Sequence, residues 1–356
     1  MQKQFTKENS YIVKGLAVIL LLTYHLFEHE QLVTLMEVNY SPLSLPDFLL
    51  LSGFGNICVA VFVFLTAYGI GKGLLAQESI SPKTALSQAC RRCLRLCFQF
   101  AFMYASVNLL WGKLFDYKSL YGSGKQGVLY ILADALGLAA IFDTPTMNMT
   151  WWYMELAYIL IFLVPLLVCL VRKTGYYLLP LAFLAPRVLV FHEATERYLF
   201  TAVLGVCAAY GNWPDRLLNL KGKRLLQWLA GLVGLLLSVL IRQNYAVREY
   251  FEYLIDAPIA LLLVFVAGAL LASVPVLNRI LSFIGRHSMN IYLVHTFFYM
   301  MLWQQFIYRF RYAGVTLLLL LAVCLGYSVV LEAVKKMFVK VVDNLKNRYY
   351  TKNIIK

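Results

Sequence analysis

Charge is what this sequence has least of: Asp, Glu, Lys and Arg make up 14% of its 356 residues, where soluble globular domains carry about a quarter. With 61% hydrophobic residues and a mean hydropathy of +0.69, the chain cannot cover itself with a polar surface, which excludes an ordinary soluble protein. Strict polar–apolar alternation is also missing. The apolar runs are continuous, so helices rather than a β-barrel span the bilayer. Acidic residues are the scarcer sign, 18 against 32 basic, leaving a net charge of +14. In a soluble domain that excess would point to nucleic acid; in a membrane protein it reflects basic cytoplasmic loops, and no nucleic acid partner is expected. The seven cysteines are odd in number and mostly lie within apolar runs, which argues against a secreted disulfide framework. Cys90 and Cys93 lack a second Cys or His pair at zinc-site spacing, and no metal is expected. No small-residue cleavage site follows the first apolar run, which ends in Tyr24-His25-Leu26-Phe27-Glu28, so a retained first helix is expected.

Apolar segments run over residues 11–27, 55–76, 95–111, 127–142, 150–171, 175–191, 198–212, 225–241, 254–273, 288–306 and 313–334. Residues 127–142 are short for about 30 Å of hydrocarbon and contain Asp134, which marks them as re-entrant or interfacial. With that segment not spanning, 23 of the 32 Lys and Arg fall on the side of the two termini, and the positive-inside rule makes that side cytoplasmic. The expectation is an all-α polytopic cell-membrane protein of about ten spanning helices, both termini cytoplasmic. It comprises one membrane domain over residues 1–335 and a basic tail over 336–356.

Ionisable side chains inside spanning segments are costly and default to functional candidates. Lys14 and His25 lie eleven residues apart in the first helix, almost three full turns, so they share a face with His25 about 16 Å from Lys14. The alternative is that Lys14 snorkels to the cytoplasmic surface and His25 lies near the outer interface. Ser288, Tyr292, His295 and Tyr299 form a polar stripe at helical spacing, which either lines a substrate passage or satisfies interhelical hydrogen bonds.

Lys14, ten residues, His25 resembles the basic-x10-His signature of the integral membrane acyltransferase-3 family. Phe62-Val63-Phe64-Leu65-Thr66-Ala67-Tyr68 is similar to that family's second-helix run, and Arg91-Arg92-Cys93-Leu94-Arg95 to its arginine motif. Trp151-Trp152-Tyr153-Met154-Glu155 with Pro165 resembles its Trp-Tyr helix, and Ser288-Met289-Asn290-Ile291-Tyr292-Leu293-Val294-His295 its late Ser-x3-Tyr-Leu-x-His segment. Lys14 departs from the usual arginine, keeping the charge but losing the bidentate fork. A member without the fused extracytoplasmic domain that many carry is expected.

The resemblance implies transfer of an acyl group, commonly acetyl from cytoplasmic acyl-CoA, to a hydroxyl of a cell-envelope glycan or related acceptor. His25 suits the general base, with an acyl-His intermediate left open, and Glu155 is the intramembrane carboxylate expected to hold its tautomer. Lys14, Arg91, Arg92 and Arg95 are expected to receive the donor phosphates, since guanidinium pairs phosphate bidentately. Substrate contacts are expected at Tyr68, Trp152, Ser288, Tyr292 and His295, the last donating to the thioester oxyanion. Trp151 and Trp152 also suit an aromatic belt. Two other classes stay open. A binder or carrier would use the same helices without chemistry, and His25-Leu26-Phe27-Glu28-His29 matches the His-x-x-Glu-His pattern of zinc proteases.

Overall fold

The computed structural model describes residues 3–78, 81–188 and 192–354; residues 189–191, at the end of the apolar segment 175–191, and the last two of the tail lie outside them. Among the described residues the chain is helical, with no strand beyond a single bridge between Asn39 and Tyr312. The helices that position the site are α1 (Lys7–Phe27), α2 (Leu45–Phe54), α3 (Cys58–Leu75), α4 (Pro82–Trp111), α5 (Gly124–Ala135), α6 (Tyr153–Thr174), α7 (Leu178–Val188), α8 (Glu193–Tyr210), α9 (Arg224–Gln243), α10 (Tyr245–Phe265), α11 (Pro275–Arg286), α12 (Ser288–Thr296) and α13 (Ala313–Ile354). Their starts follow capping chemistry. Thr6 and Asn9 form a reciprocal capping box on α1, and Ser81 caps α4 ahead of Pro82, satisfying amide groups that no earlier turn can bond.

Among the described residues seven stretches are long and apolar enough to cross a bilayer, against about ten expected; three of the expected segments account for the difference. Residues 150–171 and the described part of 175–191 fall within one apolar stretch, Met149–Pro186, in which Gly175, at φ +57°, ends α6 before α7 begins. The segment 198–212 lies in α8, whose first turns carry Glu193, Glu196 and Arg197. The segment 288–306 is broken after α12 by a π-helical turn, Phe297–Leu302. The segment 127–142 is not among the seven: α5 stops at Ala135, and Gly137 takes a left-handed φ of +69°. Asp134 is buried there with its full complement of donors, Tyr121 Oη at 2.6 Å, Thr146 Oγ1 at 2.8 Å and Met147 N at 2.9 Å. It thereby fixes the loop that leads into α6. The tail is the continuation of α13, a 42-residue helix.

The centre of the fold is α1. Ile12, Val13, Ala17 and Leu21 pack into one apolar core with α3, α8 and α10, while Val18, Leu22, Leu26 and Phe27 pack into another with α4, α12 and α13. The crossing of α1 with α11 is close enough to require glycine. A Cβ on Gly285 would stand 1.8 Å from the Tyr11 carbonyl oxygen, and one on Gly15 2.1 Å from that of Leu281, the small-residue contact by which membrane helices approach without a hydrophobic driving force. Outward faces are apolar, as lipid demands; α9 exposes Leu225, Leu229, Leu232, Leu236 and Leu240 along one side.

Candidate active site

Two cavities lie along α1, one near each of its ionisable residues. The first, of about 320 Å³, is lined by Lys14, Arg92, Arg95, Gln99, Ser288 and Tyr292. Arg92 and Arg95 reach it together because three residues bring two side chains back to one helix face. Arg91 does not line the cavity. No carboxylate among the described residues pairs with Lys14, Arg92 or Arg95, and one terminal guanidinium nitrogen of Arg92 is buried without a hydrogen-bond partner. Three uncompensated cations around a partly apolar space make a site for a polyanion with an apolar arm.

The second cavity, about 400 Å³, is lined by His25, Glu28, Trp152, Glu155, Arg197 and Tyr292, among others. His25 Nδ1 lies 3.4 Å from Glu28 Oε1, one helical turn on, and the same oxygen lies 3.4 Å from His29 Nε2. The carboxylate on the His25 imidazole is therefore Glu28 rather than Glu155. Glu155 is buried in the wall of the same cavity but pairs with His192 Nδ1, just ahead of α8, at 2.9 Å. The i, i+3 spacing of His25 and Glu28 is the signal that would have found the pair. Burial pushes the Glu28 carboxyl up, but hydrogen bonds from His25 and Tyr24 and the nearby imidazoles outweigh it and hold it below the usual carboxylate range. Glu28 is thus ionised near neutral pH. It favours the His25 tautomer with the proton on Nδ1, leaving Nε2 free as a base. The sign follows: the carboxylate's hold on His25 is complete above the ordinary carboxylate range and lost as pH falls through the lowered one. Glu28→Gln is expected to cut turnover by roughly tenfold or more through loss of the oriented tautomer, with folded yield unchanged; equal turnover in wild type and variant would remove Glu28 from the site.

Tyr292 belongs to both cavities and forms their common wall. Its ring meets Tyr153 edge-on at 5.5 Å, and its hydroxyl donates to the Thr150 carbonyl. Thr150 and Asn148 are in turn bonded to Thr296, so the loop held by Asp134 braces this wall. Tyr153 gives no sequence signal beyond its place in the Trp-Tyr run.

The remaining expected residues are distributed as follows. Trp152 lies in the second cavity with its indole stacked on Tyr198 at 6.4 Å and 16°, whereas Trp151 is buried, its indole N–H donated to the Leu293 carbonyl. Tyr68 lines neither cavity; its hydroxyl and Asp215 instead hold the Lys72 ammonium, at 2.9 and 2.8 Å. His295 also lines neither. It is fully buried with its ring centroid 4.9 Å from that of His25, and its Nδ1 is 2.6 Å from the Tyr292 carbonyl oxygen. A carbonyl only accepts, so Nδ1 carries a proton; Nε2, buried behind His25, has no partner. In the neutral ring that nitrogen is an acceptor, which does not suit the expected donation to an oxyanion.

His25 and His29 both turn to Glu28, and among the described residues no group of three or more His, Cys, Asp or Glu is disposed to hold a metal ion. All seven cysteines are free.

A family model described as an acyltransferase domain, that of the acyltransferase-3 family, matches residues 11–332. No curated protein and no solved structure matches the chain significantly.

Proposed function

Because the chain belongs to the acyltransferase-3 family and is therefore a membrane acyltransferase, we propose that it moves an acyl group, acetyl, from cytoplasmic acyl-CoA to a hydroxyl of a cell-envelope glycan. The observation that carries this reading is the pair of cavities sharing the Tyr292 wall, one cationic, the other holding a carboxylate-supported imidazole. Acyl-CoA bears phosphates at one end and a thioester at the other. Phosphates on Lys14, Arg92 and Arg95 direct the thioester toward Tyr292, the residue that lines both cavities. On the other side of that wall, His25 Nε2 takes the proton of the acceptor hydroxyl as its oxygen attacks the thioester carbonyl. The C–S bond breaks, and the imidazolium, stabilised by Glu28, returns the proton to the departing sulfur. Trp152 offers its face to a sugar ring, with Ser288 on the donor side.

The test is mass spectrometry of envelope glycans from cells with wild-type protein, with His25→Ala and with none. A labile acyl mass present only with wild type is the expected result, and identical glycan profiles in all three would overturn the acceptor class.

We further propose ten crossings of the cell membrane with both termini cytoplasmic, supported by the 23 basic residues that ten crossings place on that side and by α5 ending short of a span. A reporter inserted at Gly222 and one fused after Lys356 should both report the cytoplasm; an external signal from either would reverse the donor and acceptor faces.

A further inference from the structure

A third cavity, of about 490 Å³ and polar in its lining, opens beside the catalytic one and shares Tyr24, Glu28 and Asn56 with it. Its own walls include His29, Gly53, Arg242, Gln243 and Glu252. Nothing in the acyl-transfer step described above uses it.

Its floor is an ion-pair chain. Buried Arg242 holds Asp256 through two bonds, of 2.7 and 2.9 Å, and reaches Glu252 at 3.2 Å; Glu252 also takes Arg197 at 2.7 Å. Arg197 lines the catalytic cavity, so one network underlies both spaces and fixes their relative position. Two guanidinium groups and two carboxylates cancel, and the shared Glu28 leaves the third cavity slightly negative. Such a surface repels phosphate and carboxylate ligands. It offers oriented donors and acceptors to an uncharged molecule, while Pro46, Leu49 and Leu50 supply an apolar wall. A sugar unit, with hydroxyls on its edge and C–H bonds on its faces, has this combination.

We propose that the third cavity is an acceptor subsite. It holds an uncharged, non-reacting sugar unit adjacent to the one whose hydroxyl is acylated, so that the preferred acceptor is an oligosaccharide. This rests on the glycan-acceptor reading above.

Gly53 supplies the test, because a Cβ there meets nothing nearer than the Gln243 side-chain nitrogen at 3.9 Å, and Gly53 lines the third cavity but not the catalytic one. Gly53→Phe fills the subsite, and Gly53→Leu does so with a smaller side chain should the first fail to insert. The assay uses the purified full chain with acetyl-CoA and the envelope glycan of the producing cells, supplied intact or digested to single residues. Wild type is expected to show kcat/KM about tenfold higher for the intact glycan, the worth of one or two added hydrogen bonds. The filled variants should lose that preference while keeping the wild-type rate on single residues. Equal use of both acceptors by wild type, or an equal loss on both in an inserted Gly53→Leu protein, would overturn the subsite and leave acyl transfer standing. Failure of wild type to acylate either preparation would instead remove the glycan-acceptor reading, and the subsite with it.

Discussion

Replacing His25 with alanine is expected to abolish acyl transfer, with turnover falling by about two to four orders of magnitude, the contribution of a positioned general base. A hydroxyl is a weak nucleophile, and His25, whose tautomer Glu28 sets, lines the catalytic cavity. Helix α1 should still insert, since Leu21, Leu22, Leu26 and Phe27 anchor this end of it in the cores and His25 remains part exposed. The check is turnover of detergent-solubilised variant whose folded yield equals that of wild type. High concentrations of acyl-CoA should not restore it, because the defect lies in the transition state and not in donor binding. Normal turnover in an inserted His25→Ala protein would remove the base from the mechanism.

Arg92→Ala and Arg95→Ala should have the opposite kinetic signature. Each removes charge-assisted hydrogen bonds to a donor phosphate of roughly 1.5–3 kcal/mol, or about ten- to hundredfold in donor affinity. The expected result is a raised KM for acyl-CoA with kcat recovered at saturation, and only partial rescue by Arg→Lys, because ammonium lacks the planar fork. Arg91→Ala should change little, since Arg91 does not line the cavity. Calorimetry with acyl-CoA checks the same point without turnover. Loss of kcat with unchanged KM would mean that these guanidinium groups do not hold the donor.

The helical membrane architecture was legible from composition and hydropathy, because each spanning helix satisfies its own backbone and records its environment in its own residues. The shared face of Lys14 and His25, and of Arg92 and Arg95, was legible for a related reason: helical periodicity is local geometry. The number of spans was less so. Hydropathy does not register that only a 3-10 turn, Gly175–Tyr177, separates α6 from α7 or that α12 gives way to a π turn.

What sequence alone determined here is the class of fold, the family resemblance and the residues at which charge enters the apolar helices. What only the tertiary structure decided is which of those charges meet. Glu155 is the carboxylate the sequence offers to the expected base, yet it pairs with His192, and Glu28 takes His25 one turn away. Tyr68 and Tyr292 both belong to recognisable motifs, but Lys72, itself paired with Asp215, engages Tyr68 elsewhere, while Tyr292 stands between the two cavities. The physical reason is that a helix sets the direction of a side chain relative to its own axis, whereas a cavity is bounded by several axes at once. Their relative rotation comes from packing over the whole chain, including the glycine-to-carbonyl contacts of α1 with α11, which leave those helices one way to sit together.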